Sequence, residues 1–375
     1  GVLAVPSWAQ ADKPKLTLGG STEQSFGVGA DSPSFSGGAN ANAGKRIGYD
    51  QQSDGEVHFN GSVDLDNGIK IRTRVELEAF TIDNTGRTSS TAHGTQGDSI
   101  DEHWMRISGA FGEIRLGSGD AAGRAMTSGY LGTGATNVSL SQDSDTTNWV
   151  TRPSSIAVTF SNRVDVSSDG EHISYFTPRF AGFQAGLSYV PSADEDVNNQ
   201  RALSGGNADF EGWSAAVNFD RRFGDIGIGL AAGYAFMNES AAAAIDDAHV
   251  WGVGGRFDYK GFRIAASWVD KNNQSSATGT FVASGREALE IGARYTFGAN
   301  AVSMSHITAK SDSRNVTAND DKVKSTFIAY RRLLGPGVSW HLAAIFANYE
   351  DGTPNVAGAS SNQGEALVTT IVVVF

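Results

Sequence analysis

The sequence predicts an all-β fold, a transmembrane antiparallel β-barrel of sixteen strands. Three observations lead to this prediction. Polar and apolar residues alternate along many segments of roughly 9–11 residues, the length at which a tilted strand crosses a bilayer. Short glycine-containing turns alternate with long polar loops. The chain ends on Phe375 after an alternating segment, as expected if its last residue lies in the wall of a closed sheet.

The alternation assigns two faces to each predicted strand. In IKIRTRVELEAF (residues 69–80), every second residue from Ile69 is apolar or small, and the residues between them are charged as far as Glu78. An apolar face suits lipid and a polar face suits a water-filled lumen. The same pattern recurs in WSAAVNF (213–219), IGIGLAAGYAF (226–236), FRIAASWV (262–269), EALEIGARYTF (287–297) and VSWHLAAIF (338–346).

Seven short connections and eight long loops separate the predicted strands. The short ones have the Gly, Asn and Asp chemistry of tight hairpin turns. They are residues 66–68, 109–112, 181–182, 224–225, 260–261, 298–299 and 334–337. Aromatic residues at both strand ends predict belts at the two membrane interfaces. The belt near the turns comprises Phe223, Tyr259, Phe262 and Phe297, and the belt near the loops comprises Tyr189, Phe236, Trp268 and Tyr349.

One connection, about residues 119–169, is far longer than the others. Loops of that length inside a compact domain are usually functional or disordered. We predict that it folds into the lumen, where small residues of two later strands leave space. Those residues are Gly227, Gly229, Ala231, Gly233, Gly252 and Gly254. We therefore predict a single barrel domain over residues 12–375. Residues 1–11 are expected to be the remainder of a signal peptide that ends at Ala9-Gln10-Ala11.

Composition and motifs argue against other classes of protein. The chain has no cysteine and no uncharged apolar run of the ~18 residues that a membrane helix needs. Its net charge of −12 argues against nucleic acid as a partner. Hydrolase and zinc-protease motifs are absent, so no enzyme and no cofactor are predicted. The acidic segments 142–148 and 194–196 lack the glycine and distal glutamate of an EF-hand, and we predict no metal site.

The chain resembles the trimeric general porins of Gram-negative bacteria over essentially its whole length from residue 12. The resemblance rests on RVELE (74–78), SGAFGEIRLG (108–117), YFTPRFAGFQAGLSYVP (175–191), LLGPGV (333–338) and Phe375. It implies a homotrimer in the outer membrane, in contact with lipid and lipopolysaccharide, and a third extracellular loop that narrows the pore. It also implies that Phe375 acts as an assembly signal. One departure is the apolar second face of the last strand, which packs either on the inward loop or on a trimer contact.

Basic side chains on one face of residues 69–80 form the predicted basic wall of the constriction. They are expected near the middle of a strand and therefore near mid-membrane. Cations on one face repel each other unless carboxylates lie close. The alternative is that they only solvate the lumen or pair with Glu76 and Glu78, which also face it. The predicted basic residues are Lys70, Arg72 and Arg74, then Arg115, with Arg256, Arg263 and Arg294 as further lumen-facing residues.

Carboxylates on the inward loop are expected to face this basic wall. Asp143 and Asp145 in QDSDTTN are the first candidates, and Asp120 at the start of the loop is the next. Basic and acidic walls facing each other polarise the water between them and favour small polar solutes. The alternative for the Asp-Ser-Asp segment is a solvated turn.

The function predicted from these features is passive diffusion of small hydrophilic solutes and ions through a water-filled channel. A channel selective for a sugar, phosphate or organic acid is the first alternative, and an adhesive or structural barrel is the second. The net charge of −12 predicts a weak preference for cations, which the mid-pore arginines oppose.

Overall fold

Sixteen antiparallel strands pair in chain order, and the first pairs with the last to close a barrel. The strands are β1 (Lys15–Asp31), β2 (Tyr49–Asp64), β3 (Lys70–Glu78), β4 (His103–Gly109), β5 (Gly112–Gly117), β6 (His172–Phe176), β7 (Phe183–Ser192), β8 (Phe210–Phe223), β9 (Ile226–Asn238), β10 (Asp246–Tyr259), β11 (Phe262–Gln274), β12 (Gly285–Phe297), β13 (Asn300–Ser311), β14 (Lys322–Gly335), β15 (Val338–Glu350) and β16 (Asn362–Val374). Three short helices, α1 (Ala122–Thr127), α2 (Gly132–Thr136) and α3 (Gln142–Trp149), lie between β5 and β6.

The computed structural model describes most of the barrel wall and part of the connections. The described residues are 13–32, 48–78, 100–139, 142–153, 156, 163–167, 169–192, 210–238, 246–274, 285–311, 320–352 and 361–375. The predicted signal-peptide segment lies outside them. Within these ranges, every helix is too short and too polar to cross a membrane.

The two ends of the chain close the sheet. The amide of Gly20 donates to the carbonyl of Phe375, and the amide of Phe375 donates to the carbonyl of Gly20, each at 3.0 Å. The β1–β16 register then continues from Ser21 opposite Val374 to Asp31 opposite Gly364. Backbone groups left unpaired in lipid are costly, so this closure is what allows the sheet to span a membrane. The last residue lies in the wall, as the sequence predicts.

All seven predicted short turns are present at one end of the barrel. Gly224 and Gly298 have φ of 61° and 55°, so each occupies the left-handed region that tight hairpin turns require. The long connections join strands at their other ends, and most of the residues in these connections fall outside the described ranges.

The outward face carries aromatic pairs near both strand ends. Phe262 and Tyr295 stack near the turns with ring centroids 4.1 Å apart, and Tyr189 and Trp213 pack near the loops at 4.9 Å. The assignment of Tyr349 to the outer belt was wrong. Its side chain is fully buried on the inner face because it lies an odd number of residues from the outward Phe346 in β15.

The segment between β5 and β6 folds into the barrel and is attached to its wall by serine hydroxyls. Each hydroxyl accepts a hydrogen bond from a backbone amide of the segment, so amides in the lumen are satisfied without water. The bonds join Ala122 to Ser188 (2.7 Å), Gly123 to Ser214 (2.7 Å), Gly132 to Ser267 (2.8 Å) and Val138 to Ser303 (3.2 Å). These serines belong to β7, β8, β11 and β13, so the segment follows the wall across half of the barrel.

Glycines of the wall make room for this segment. A Cβ atom at Gly252 would lie 2.3 Å from Val164, and one at Gly292 would lie 2.1 Å from the hydroxyl of Thr136. Side chains at these positions would therefore displace the segment. Gly229, Gly233 and Gly254 of the predicted set also contact the segment or its neighbours, whereas Gly227 faces Asp258.

The apolar inner face of β16 packs on the inward segment. Val368 belongs to a buried cluster that includes Val150 and Ile156 of the segment. Of the two predicted explanations for the apolar second face of the last strand, packing on the inward loop therefore holds for Val368.

We expect the substitution Gly252→Val to destabilise the barrel by about 1–3 kcal/mol, because the added methyl groups would overlap Val164. The midpoint of heat unfolding in detergent measures the loss. Ala266→Val on the outer face of neighbouring β11 adds the same kind of side chain into lipid and is the matched control. Equal midpoints for the two variants would contradict the packing described here.

Candidate functional site

The inner face of β3, β4 and β5 carries three arginines in direct cross-strand register. Arg72 lies opposite Arg106, and Arg106 lies opposite Arg115. The inward segment packs mainly on β6–β15 and β1, so this part of the wall faces the lumen. We call these three residues the arginine ladder. They occupy adjoining positions on the lumen face of three neighbouring strands.

The ladder needs compensating interactions, because like charges directly opposite each other on neighbouring strands repel. Two of its members pair with carboxylates. Arg72 Nη1 lies 2.6 Å from Asp64 Oδ1, and Arg115 Nη2 lies 3.1 Å from Glu113 Oε1. Salt bridges to Arg106 are absent among the described residues, and its guanidinium lies over an aromatic ring instead.

That ring belongs to Trp104, which is buried on the same face of β4. The guanidinium carbon of Arg106 is 3.8 Å from the centroid of the ring, and that of Arg74 is 5.4 Å away. Cation–π attraction of about 0.5–2 kcal/mol holds such cations in place. The indole N–H donates to Glu102 Oε2 at 3.1 Å, which fixes the ring.

Arg106 and Trp104 were missed by the sequence reasoning, although the signal was present. In HWMRISG (103–109), period two separates Trp104 and Arg106 from Met105 and Ile107. The segment therefore reads as a strand with a lumen face, which the structure places beside β3.

The residues predicted from β3 occupy different heights in the lumen. Lys70 is the first residue of the strand and is exposed at the turn end, so its expected position near mid-strand was wrong. Arg74 is central, and its Nη1 lies 3.3 Å from the buried carboxylate of Glu76. Glu78 ends the strand opposite Glu56.

Asp120 lies beside the predicted basic wall. Its carbonyl accepts a hydrogen bond from Arg115 Nη1 at 3.4 Å, and its carboxylate lies 2.5 Å from Arg124 Nε. It stays on this side because the inward segment leaves β5 only a few residues earlier. Asp143 and Asp145 lie on α3, which packs on β14, β15 and β1. The side chain of Asp143 is outside the described part of the structure.

Carboxylates cluster around Arg124 at the base of the inward segment. Arg124 Nη1 lies 3.5 Å from Asp165 and 3.6 Å from Asp169. Burial raises the pKa of Asp169 to about 7, with further increases from nearby Asp101 and Asp120 and an opposing effect of Arg124. Burial likewise raises the pKa of Asp120.

Two of the additional lumen-facing arginines hold the inward segment. Arg256 donates to the carbonyl of Gly129 at 2.8 Å and pairs with Asp220 at 2.5 Å. Arg263 donates to the carbonyl of Ala135 at 3.1 Å and pairs with Asp258 at 2.6 Å. The third, Arg294, lies directly opposite Arg263 on β12.

Comparison with known proteins agrees with this architecture. A family profile for Gram-negative porins matches residues 1–352. The major outer membrane protein of Pasteurella multocida is 29% identical over 177 residues, so the match spans 47% of this chain and slightly less than half, 45%, of that relative.

Solved structures of low sequence identity share the fold. The anion-selective porin from Comamonas acidovorans is 16% identical with a TM-score of 0.65, and the match covers 97% of this chain and all of that one. Salmonella typhi OmpF in complex with daunomycin is 14% identical with a TM-score of 0.62, covering 96% and 97%. OmpT of Vibrio cholerae in trimer form is 8% identical with a TM-score of 0.58, covering 97% and 100%.

The profile match, the relative and the closed sixteen-stranded barrel together place this chain in the family of Gram-negative porins, in the outer membrane.

Proposed function

We propose that this porin is a water-filled channel through which small hydrophilic solutes and ions diffuse passively. The observation that carries the proposal is the arginine ladder on a wall that the inward segment leaves facing the lumen. Diffusion of this kind needs no catalyst and no cofactor, and we propose neither.

The ladder supplies a fixed field at the level of the inward segment. Solutes that carry a charge or a dipole gain energy by orienting in such a field, whereas bulky apolar solutes do not. The ladder also favours anions locally, which opposes the enrichment of cations expected from the net charge of −12. The preference for cations stays a prediction. The arginine ladder is expected to reduce its size.

A channel selective for an anionic solute is the second candidate. The observation that favours it is the lack of an ion pair to Arg106 among the described residues. That guanidinium keeps donors for a phosphate or carboxylate that passes Trp104. A sugar would gain less from this site. A purely structural or adhesive barrel is the third candidate and requires a lumen that conducts no current.

We further propose that the chain assembles as a homotrimer whose outer face contacts outer-membrane lipid and lipopolysaccharide. The trimer form of Vibrio cholerae OmpT, which shares the fold, supports the proposed assembly. We propose Phe375 as the assembly signal, because its exposed ring ends the strand that closes the barrel.

Single-channel recording in a planar bilayer tests the function, with phosphate, a small organic acid and a neutral sugar titrated in turn. We expect large ohmic steps, often in threes, that no solute blocks in a saturable way. Block by an anion at low concentration would favour the selective channel instead. The absence of current from correctly folded protein would contradict both.

We expect Arg106→Ala to lower the permeability of anions relative to cations by about two- to fivefold, the effect of removing about 0.5–1 kcal/mol of attraction in an aqueous pore. Reversal potentials in a salt gradient measure the ratio. Arg332→Ala, an exposed arginine on the other face of β14, is the control and should leave the ratio unchanged. Equal ratios in both variants would exclude Arg106 from the ion path.

The raised pKa of Asp169 predicts a pH-dependent selectivity. The carboxyl is protonated and neutral below about pH 7 and negative above it. We therefore expect cation permeability relative to anions to rise between pH 6 and pH 8, and to rise less in Asp169→Asn. The same rise in both proteins would show that another group is responsible.

A further inference from the structure

Strands β2 and β3 bring three potential metal ligands together on the lumen face. Glu56 and His58 are two residues apart on β2, and His58 lies directly opposite Glu76 on β3. The Nε2 atom of His58 is 3.0 Å from Oε2 of Glu56 and 3.0 Å from Oε2 of Glu76. The three ligand atoms lie within 4.8 Å of one another.

Two carboxylates of this trio converge beside a single guanidinium. Two carboxylates share one small site, and the side chain of Glu76 is only 7% exposed. The neighbouring cation is Arg74, whose Nη1 lies 3.3 Å from the same Glu76 oxygen. Counted without the imidazole, the two carboxylates and this one guanidinium leave one negative charge. A divalent cation would more than balance that charge and would relieve the repulsion between the carboxylates.

The donor set indicates which cation fits. Zinc binds imidazole nitrogen and carboxylate oxygen at about 2.0–2.2 Å, so in a tetrahedral site its ligand atoms lie about 3.3–3.6 Å apart. The two separations from His58 Nε2 are 3.0 Å, so each would lengthen by a few tenths of an ångström on binding. Calcium and magnesium prefer oxygen ligands alone, whereas imidazole suits zinc and other transition metals. We propose that Glu56, His58 and Glu76 form a binding site for a divalent transition-metal ion, with Zn²⁺ as the best fit.

A second trio shows why the imidazole matters. Glu102, Asp120 and Asp169 also converge, but they offer only carboxylates. The guanidinium of Arg124 lies 2.5 Å from Asp120 and 3.6 Å from Asp169 and compensates them. The trio on β2 and β3 differs in ligand chemistry and lies in the wall itself, where the strand backbone fixes Glu56 relative to His58 and cross-strand pairing fixes His58 relative to Glu76.

The site also connects with the pore. Arg74 and the metal would compete for one oxygen of Glu76, so binding would release Arg74 toward Trp104 and add positive charge beside the arginine ladder. Binding itself does not depend on conduction. A failure of the proposed channel function would therefore leave the metal site intact, and the two can be tested separately.

The test is calorimetric titration of the untagged, chelator-treated protein in detergent with Zn²⁺, and in parallel with Ca²⁺ and Mg²⁺. We expect one Zn²⁺ per chain, bound at least tenfold more tightly than Ca²⁺ or Mg²⁺. His58→Gln and Glu76→Gln should each weaken Zn²⁺ binding at least tenfold. His103→Gln removes an exposed histidine outside the trio and should leave binding unchanged.

The Arg74→Ala variant distinguishes a specific effect on the site from a loss of binding caused by misfolding. Removing the competing guanidinium should tighten Zn²⁺ binding several-fold, a gain that a misfolded protein would not give. Three results would overturn the proposal: no binding to the unmodified protein, equal affinity for Zn²⁺ and Ca²⁺, or full binding in His58→Gln.

Discussion

The hydrogen bonds between the first and last strands are the constraint on which the rest of the structure depends. In lipid, an amide or carbonyl at an open sheet edge has no water to pair with, and each such group costs several kcal/mol. The reciprocal bonds between Gly20 and Phe375 begin the pairing that removes that edge. Once the sheet is closed, each residue of a strand faces either lipid or lumen. Period two then determines where every charged side chain lies.

The inward segment has to satisfy its own backbone inside this closed wall. Its helices are too short to pair all of their amides internally. Serine hydroxyls on four strands accept four further amides of the segment, and glycines bring the wall close enough for those bonds. Arg256 and Arg263 bind carbonyls of the same segment. Small and polar residues on the inner face therefore have a structural role as well as making the lumen polar.

Period two is why much of the barrel could be predicted from the sequence. The alternation of polar and apolar residues predicts the two faces of β3, β11 and β12 correctly. Applied to residues 103–109, it also places Arg106 on the lumen face. The predictions were wrong where they depended on the residue at which a strand begins or on the face of the strand to which a residue belongs. Lys70 was placed mid-strand because the start of β3 was not fixed, and Tyr349 was assigned to the wrong face of β15.

The path of the inward segment was beyond such reasoning. Its course is set by contacts with serines and glycines far away in the chain, such as Ser303, which is 165 residues from Val138, and Ser325, which is 183 residues from Gln142. No local periodicity encodes those partners. This is why Asp120 was expected across the lumen from Arg115, whereas the structure places it alongside.

Cross-strand register explains two charged clusters on the lumen face of the wall. Residues directly opposite each other on neighbouring strands lie about 5 Å apart, whatever their separation in the sequence. The rule places Arg72, Arg106 and Arg115 side by side, and it places His58 against Glu76. In a soluble core such groups would be lost to desolvation. Water in the lumen screens these charges, and the rigid wall prevents the strands that carry them from moving apart. A porin can therefore keep cations at one set of cross-strand positions and carboxylates at the next.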